Sequence, residues 1–154
     1  MEAKMGQGNN NERNTGIPTT LHESVDMQRK HNLLDSDIAV AVYGTLKRGY
    51  GNNVLLEKST FVGKGKTTEK YPLVIRTSGL PFMLYKKNQG YNVEVELYLV
   101  NKDTLRKLDM LEGHPDWYRR REVSVNIDEL DAPISAWIYF GPNEYDNLTY
   151  HERF

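Results

Sequence analysis

Among the carboxylates of this chain, Glu112 stands where chemistry explains its placement better than solubility does. The segment after Asn101 carries the punctuation of a helix: Asn101 is a good N-cap, Leu105, Leu108 and Leu111 recur at helical spacing, and Gly113 and Pro115 follow. At about 100° per residue from Leu105, Leu108 lies at about 300°, Leu111 at about 240° and Glu112 at about 340°, so Glu112 falls inside the apolar stripe. A lone carboxylate in apolar surroundings is costly unless paired or protonated, and the negative end of the helix dipole disfavours its charge further. Both effects raise its pKa above the ordinary value of about 4.3 and toward working pH, as a general base requires. Two blander arrangements satisfy the same group: an ion pair with Arg119, Arg120 or Arg121, or hydrogen bonds from N–H groups of the following turn. Asp109, at about 40° on the same wheel, sits at the stripe's edge, is more easily hydrated and is the weaker candidate.

The remaining chemistry-bearing side chains are scattered. His22, His31, His114 and His151 show no i, i+4 pair, so no metal site is expected, and His114 belongs to the turn after the helix. The chain has no cysteine, which excludes thiolate nucleophiles, disulfides and thiolate metal sites. Arg119, Arg120 and Arg121 would point to alternate faces of a strand, as on a solvated edge, and the Lys47, Arg48 and Tyr50 cluster is diffuse. With 20 Lys and Arg against 21 Asp and Glu, the net charge of -1 supplies no field for a polyanion. Nucleic-acid binding is therefore not expected. The loop from Gly44 to Gly51 lacks both phosphate-binding glycine fingerprints, although its backbone N–H groups suit an anion.

These residues need elements to hold them. A chain of 154 residues that is 38% hydrophobic and 10% aromatic makes one core but hardly two. All its aromatic residues fall at Tyr43 or later. Residues 1–37 are accordingly expected to be a polar extension, flexible in its Gly/Asn/Thr-rich part, with Leu21, Val25, Met27, Leu33 and Leu34 able to form a short docking helix. From Ile38 to Tyr43 the run is short, apolar and β-branched, and reads as a buried strand entering the Gly44 loop. Asn52 or Asn53 is expected to cap a short helix carrying Val54, Leu55 and Leu56. Further strands are expected at Ser59–Thr67, Leu73–Arg76, Phe82–Tyr85, Val93–Leu99, Val123–Ile127 and Ile134–Phe140. Val93, Val95, Leu97 and Leu99 alternate with Glu94, Glu96 and Tyr98, the pattern of a strand half in a core. Many strands and two short helices predict an α+β fold, a small mixed β-barrel. No apolar run approaches the roughly 20 residues that span a bilayer, and the N-terminus lacks an apolar signal core, so a cytoplasmic protein without membrane contact is expected.

The pattern VYGTLKRG (Val42 to Gly49), TTEKYPLVI (Thr67 to Ile75), LP (Leu80, Pro81) and LDMLEGHPDWYRR (Leu108 to Arg120) resembles the γ-glutamylcyclotransferase-like superfamily. The likeness runs over residues 38–154 and is greatest to the branch of γ-glutamylamine cyclotransferases and AIG2-like proteins. The resemblance implies a small β-barrel with short helices and cleavage of γ-glutamyl amides to 5-oxoproline and a free amine. It also implies Glu112 as the catalytic glutamate, Tyr43, Gly44, Thr45 and Leu46 as the substrate loop, and neither cofactor nor metal. The helix wheel and the resemblance select the same carboxylate.

Such a reaction needs the substrate's α-ammonium to lose a proton before its nitrogen attacks the γ-carbonyl, and Glu112 would accept it. Backbone N–H groups of the Gly44 to Leu46 loop would receive the oxyanion. Where relatives read V.GE.Y.V, this chain has VEVELYLV from Val93 to Val100, placing Val95 at the usual glycine, where it is expected to narrow the pocket if that strand touches substrate. That change and the extension, which offers a surface for partner docking, motivate an alternative: a non-catalytic module of the same fold that binds a γ-glutamyl-like ligand.

Overall fold

The structure, a computed structural model, describes residues 37–142 and 149–154. The expected extension and its short helix lie outside these residues, apart from Asp37. In chain order the strands are β1 (Ile38–Val42), β2 (Thr60–Tyr71), β3 (Leu73–Ile75), β4 (Pro81–Met83), β5 (Tyr91–Val100), β6 (Arg119–Ile127) and β7 (Ile134–Phe140). A 3-10 helix spans Gly51–Leu56, and one α-helix, α1, spans Lys102–Glu112. Five strands close into a barrel in the order β1-β5-β2-β6-β7, while β3 and β4 form a separate antiparallel pair. β1 closes the barrel by pairing parallel with β7; the other barrel pairs are antiparallel. The expected small mixed barrel is the observed fold.

Side-chain alternation explains how the barrel is filled. Ala41 of β1, Val93, Val95 and Leu97 of β5, Val123 and Val125 of β6, and Ala136, Ile138 and Phe140 of β7 meet in its interior. The opposite faces of β1, β5 and β7 contribute Val40, Val42, Tyr98, Val100 and Tyr139 to a second cluster, where Leu108 docks α1 and Leu56 docks the 3-10 helix. The half-buried β5 expected from its alternation is corrected here. Both of its faces are covered, because loop and helix pack over the side expected to meet water.

Glu96 shows how that covering is tolerated. Its buried carboxylate accepts the backbone N–H of Arg48 at 2.9 Å and the hydroxyl of Tyr98 at 3.1 Å, so the charge is solvated by protein donors. The expected strands are present with shifted ends: β2 runs on to Tyr71, β6 begins at Arg119, and β4 is Pro81–Met83. Neither Asn52 nor Asn53 caps the short helix; Tyr50 occupies that position and makes no side-chain cap. Both asparagines lie within the helix, and their amides reach back to the preceding loop.

Candidate active site

The loop after β1 leaves the barrel at Val42 and turns sharply, with Lys47 N–H donating to Gly44 O at 3.0 Å. Its shape is held from outside. Asn52 donates to Thr45 Oγ1 at 2.9 Å, and Asn53 donates to Leu46 O at 2.8 Å. A Cβ at Gly44 would lie 2.7 Å from Pro81 Cγ, so only glycine lets the loop approach the β4 entrance this closely. The backbone N–H groups of Thr45 and Leu46 find no acceptor among the described residues.

Across a cavity of about 430 Å³ from this loop stands the last turn of α1. Asn101 caps the helix start by accepting Thr104 N–H at 2.8 Å. At the other end Gly113 takes the left-handed conformation, φ 67°, and His114 N–H closes back onto Asp109 O at 2.9 Å, a Schellman ending. Leu108 is fully buried, but the apolar stripe then runs past the edge of the core. Leu111 was expected inside; it is 44% exposed and lines the cavity, because the final turn overhangs the open end of the barrel.

Glu112 lies on this overhang, half-buried on the cavity wall. Neither bland arrangement holds among the described residues. Arg120 turns to Asp109, and the N–H groups of Trp117 and Tyr118 donate to the main-chain oxygens of Gly113 and Glu112. No described side chain or N–H reaches the Glu112 carboxyl, and burial alone pushes its pKa up to about 7.

Asp109, one turn earlier, is the opposite case. Burial pushes its carboxyl upward, but hydrogen bonds from Arg120 and Tyr139 outweigh this and hold it below the usual carboxylate range. Arg120 reaches it through Nε at 2.8 Å and Nη2 at 3.2 Å, and Tyr139 through its hydroxyl at 2.6 Å. Asp109, read as the more easily hydrated of the two, is compensated by protein donors.

All five residues singled out from the sequence, Tyr43, Gly44, Thr45, Leu46 and Glu112, line this one cavity. The Tyr43 hydroxyl is occupied, donating to Tyr139 O at 2.7 Å and accepting Met83 N–H at 3.1 Å. Val95 does not line the cavity; it is fully buried inside the barrel. The expectation that it narrows the pocket is therefore corrected, since no residue of β5 lines the cavity. The sequence reading missed Asn52, Trp117, Tyr118 and Tyr139 as cavity residues. Alternation in β7 does place Tyr139 opposite Ala136, Ile138 and Phe140, but only the packed helix shows that this face meets the cavity. Among the described residues no group of histidine or acidic side chains has a metal-binding arrangement, and no helix is long and apolar enough to cross a membrane.

Comparison with known proteins yields a consistent set of relatives. The family described as "Gamma-glutamyl cyclotransferase, AIG2-like" matches residues 40–153. A Methanocaldococcus jannaschii protein provisionally named a gamma-glutamylcyclotransferase is 42% identical over 104 residues, covering 67% of this chain and 83% of its own. Gamma-glutamylaminecyclotransferase of Rattus norvegicus is 35% identical over 131 residues, covering 75% of this chain and 87% of its own. The crystal structure of an AIG2-like protein from Mus musculus superposes with a TM-score of 0.71 at 33% identity, over 77% of this chain and 88% of that one. A barrel of this topology, with those sequence matches along most of the described residues, makes the chain a member of the AIG2-like gamma-glutamyl cyclotransferase family.

Proposed function

We propose that this chain is a γ-glutamylamine cyclotransferase, a lyase that converts γ-glutamyl amines such as γ-glutamyl-ε-lysine into 5-oxoproline and the free amine. One observation carries the reading. A carboxyl with no described partner, its pKa raised to about 7, faces across a single cavity a loop whose Thr45 and Leu46 N–H groups have no described acceptor. A base and an oxyanion site on opposite walls are what an intramolecular amide cleavage requires.

In this mechanism Glu112 accepts a proton from the substrate's α-ammonium. The freed nitrogen attacks the γ-carbonyl carbon, closing a five-membered ring, and the Thr45 and Leu46 N–H groups receive the charge that develops on oxygen. The intermediate collapses as the bond to the leaving nitrogen breaks. Glu112 returns its proton to that nitrogen, then takes the extra proton from the ring nitrogen and passes it to the departing amine, which leaves as an ammonium, so that the lactam is neutral and Glu112 is again a carboxylate. Nucleophile and electrophile belong to one molecule, so holding the glutamyl chain bent supplies much of the acceleration. Tyr43 shapes the cavity through its two buried hydrogen bonds, and Gly44 keeps the loop close to Pro81. The steps use only this chain's own residues.

The test is 5-oxoproline release from a panel of γ-glutamyl amines, γ-glutamyl amino acids and glutathione. Release from the amines supports the proposal. Binding of these compounds with no release from any would replace it with the non-catalytic module.

A further inference from the structure

Three tyrosine side chains, Tyr43, Tyr118 and Tyr139, line the cavity, and their hydroxyl protons go to different places. Tyr43 and Tyr118 donate to main-chain carbonyls, at 2.7 Å to Tyr139 O and at 2.9 Å to Pro81 O. Tyr139 donates to a carboxylate, Asp109 Oδ1, at 2.6 Å. That acceptor is itself fixed. Arg120, the cross-strand partner of Tyr139, grips both Asp109 oxygens, while its guanidinium lies over the Trp137 ring at 4.6 Å. Asp109 and Glu112 are one turn apart on α1, so this network borders the same stretch of cavity wall as the proposed base.

The geometry points to Tyr139 as a second acceptor for the substrate's α-amino group, working beside Glu112 and held in that role by Asp109 and Arg120.

The chemistry follows from where the hydroxyl proton sits. A hydroxyl has one proton and two lone pairs, so a phenol already donating to a carboxylate offers only lone pairs to the cavity. An ammonium carries three N–H groups. Glu112 takes the proton that is transferred, and Tyr139 accepts from a second N–H, which sets the direction of the nitrogen lone pair once it is freed. A phenol with an uncommitted proton would instead donate to that lone pair and quench the nucleophile. Burial, followed by the Asp109 hydrogen bond, pushes the Tyr139 pKa well up, so it remains a neutral acceptor and does not compete with Glu112 as a base. Asp109 and Arg120 are positioning residues, because they act through Tyr139.

This inference rests on the cyclotransferase reading, and the experiment separates the two. 5-Oxoproline release is followed for the wild-type protein, Tyr139→Phe, Asp109→Asn and Asp109→Ala. Each variant is also titrated with a glutaryl amide, the substrate analogue lacking the α-amino group, as a competitive inhibitor. Tyr139→Phe is expected to lower kcat/KM about 10- to 100-fold, the range of one hydrogen bond to a charged group, with the glutaryl inhibition constant unchanged within about twofold. Asp109→Asn keeps an acceptor for the hydroxyl and is expected to retain activity within about tenfold, whereas Asp109→Ala loses about as much as Tyr139→Phe. A merely structural network would weaken amine-bearing and glutaryl ligands alike, and that result overturns the proposal. So does Tyr139→Phe activity within about twofold of wild type. If Tyr139→Phe does not fold, equal activity in the two Asp109 variants overturns it. Absence of release from the wild-type protein would overturn the cyclotransferase reading itself.

Discussion

Two concave regions among the described residues differ in how their charged groups are compensated. A groove of about 520 Å³ runs beside β2 and carries Lys64, Lys66, Lys70, Glu94, Asp128 and Glu152, more charge than the Glu112 cavity holds. Its one ion pair among the described residues, Lys66 with Glu152 at 2.6 Å, is exposed. The Lys66 hydrogen bond holds the Glu152 carboxyl below the usual range, so that group is a poorer base than a free carboxylate. In the smaller cavity a single carboxyl lacks any described partner and is pushed the other way, to about 7. A carboxyl is tuned toward general-base work by an imbalance between burial and compensation, and neither the size of a concavity nor the number of charges around it reports that imbalance.

Changing Glu112 breaks the comparison most strongly. Glu112→Gln preserves the shape and removes the base, and 5-oxoproline release is expected to fall about 10²- to 10⁴-fold. Full activity in this variant would be the result that sinks the assignment.

The facing loop comes next. Gly44→Ala forces a Cβ against Pro81, displacing the N–H groups of Thr45 and Leu46; kcat is expected to drop about 10- to 100-fold. Stability should also decline, by about 1–3 kcal/mol, measurable by urea unfolding.

The pH dependence sharpens the contrast between the two carboxyls. Below the Glu112 pKa of about 7 the base is protonated, so kcat/KM should rise about tenfold per pH unit and level off there. Folding stability should run the opposite way. The folded state holds the Glu112 proton up to about 7, whereas the unfolded chain releases it near 4.5, so this group's contribution declines as pH rises between those values. Glu112→Gln is therefore expected to melt higher than wild type at pH 8, with the difference shrinking toward pH 4.5, as calorimetry would reveal. Glu152 behaves as an exposed, paired carboxylate. Glu152→Gln should leave release within about twofold and Tm within about a degree, and a larger loss of activity would mean that the groove takes part in the reaction.

Much of the fold was legible in the residues because alternation and punctuation are local. The run Ile38–Tyr43, the Asn101 cap and the Gly113 stop each depend on a few neighbours, and each lies within a residue of its expected place. The site was legible in part. Glu112 belongs to the inward face of α1, as the wheel indicates, but periodicity cannot show where that face runs beyond the core and meets a cavity. Leu111 was misplaced for that reason. Arg119, Arg120 and Arg121 were interchangeable partners by sequence; the β6–β7 register places Arg120 beside Tyr139, and the pair converges on Asp109. Asn52 and Asn53 looked like caps because their side chains suit that role, yet both anchor the loop before them. Val95 looked like an obstruction because a strand motif does not say whether that strand borders the cavity at all.

By itself, then, the order of residues determined the barrel strands, the helix and the identity of one misplaced carboxylate, since short-range sterics and the burial of apolar side chains set these. Which carboxylate was left without a described partner, and which one drew Arg120 and the Tyr139 hydroxyl, was decided only when separate strands, loop and helix came together. Electrostatic compensation depends on distances of a few ångströms between groups far apart along the chain, and those distances exist only in the folded molecule.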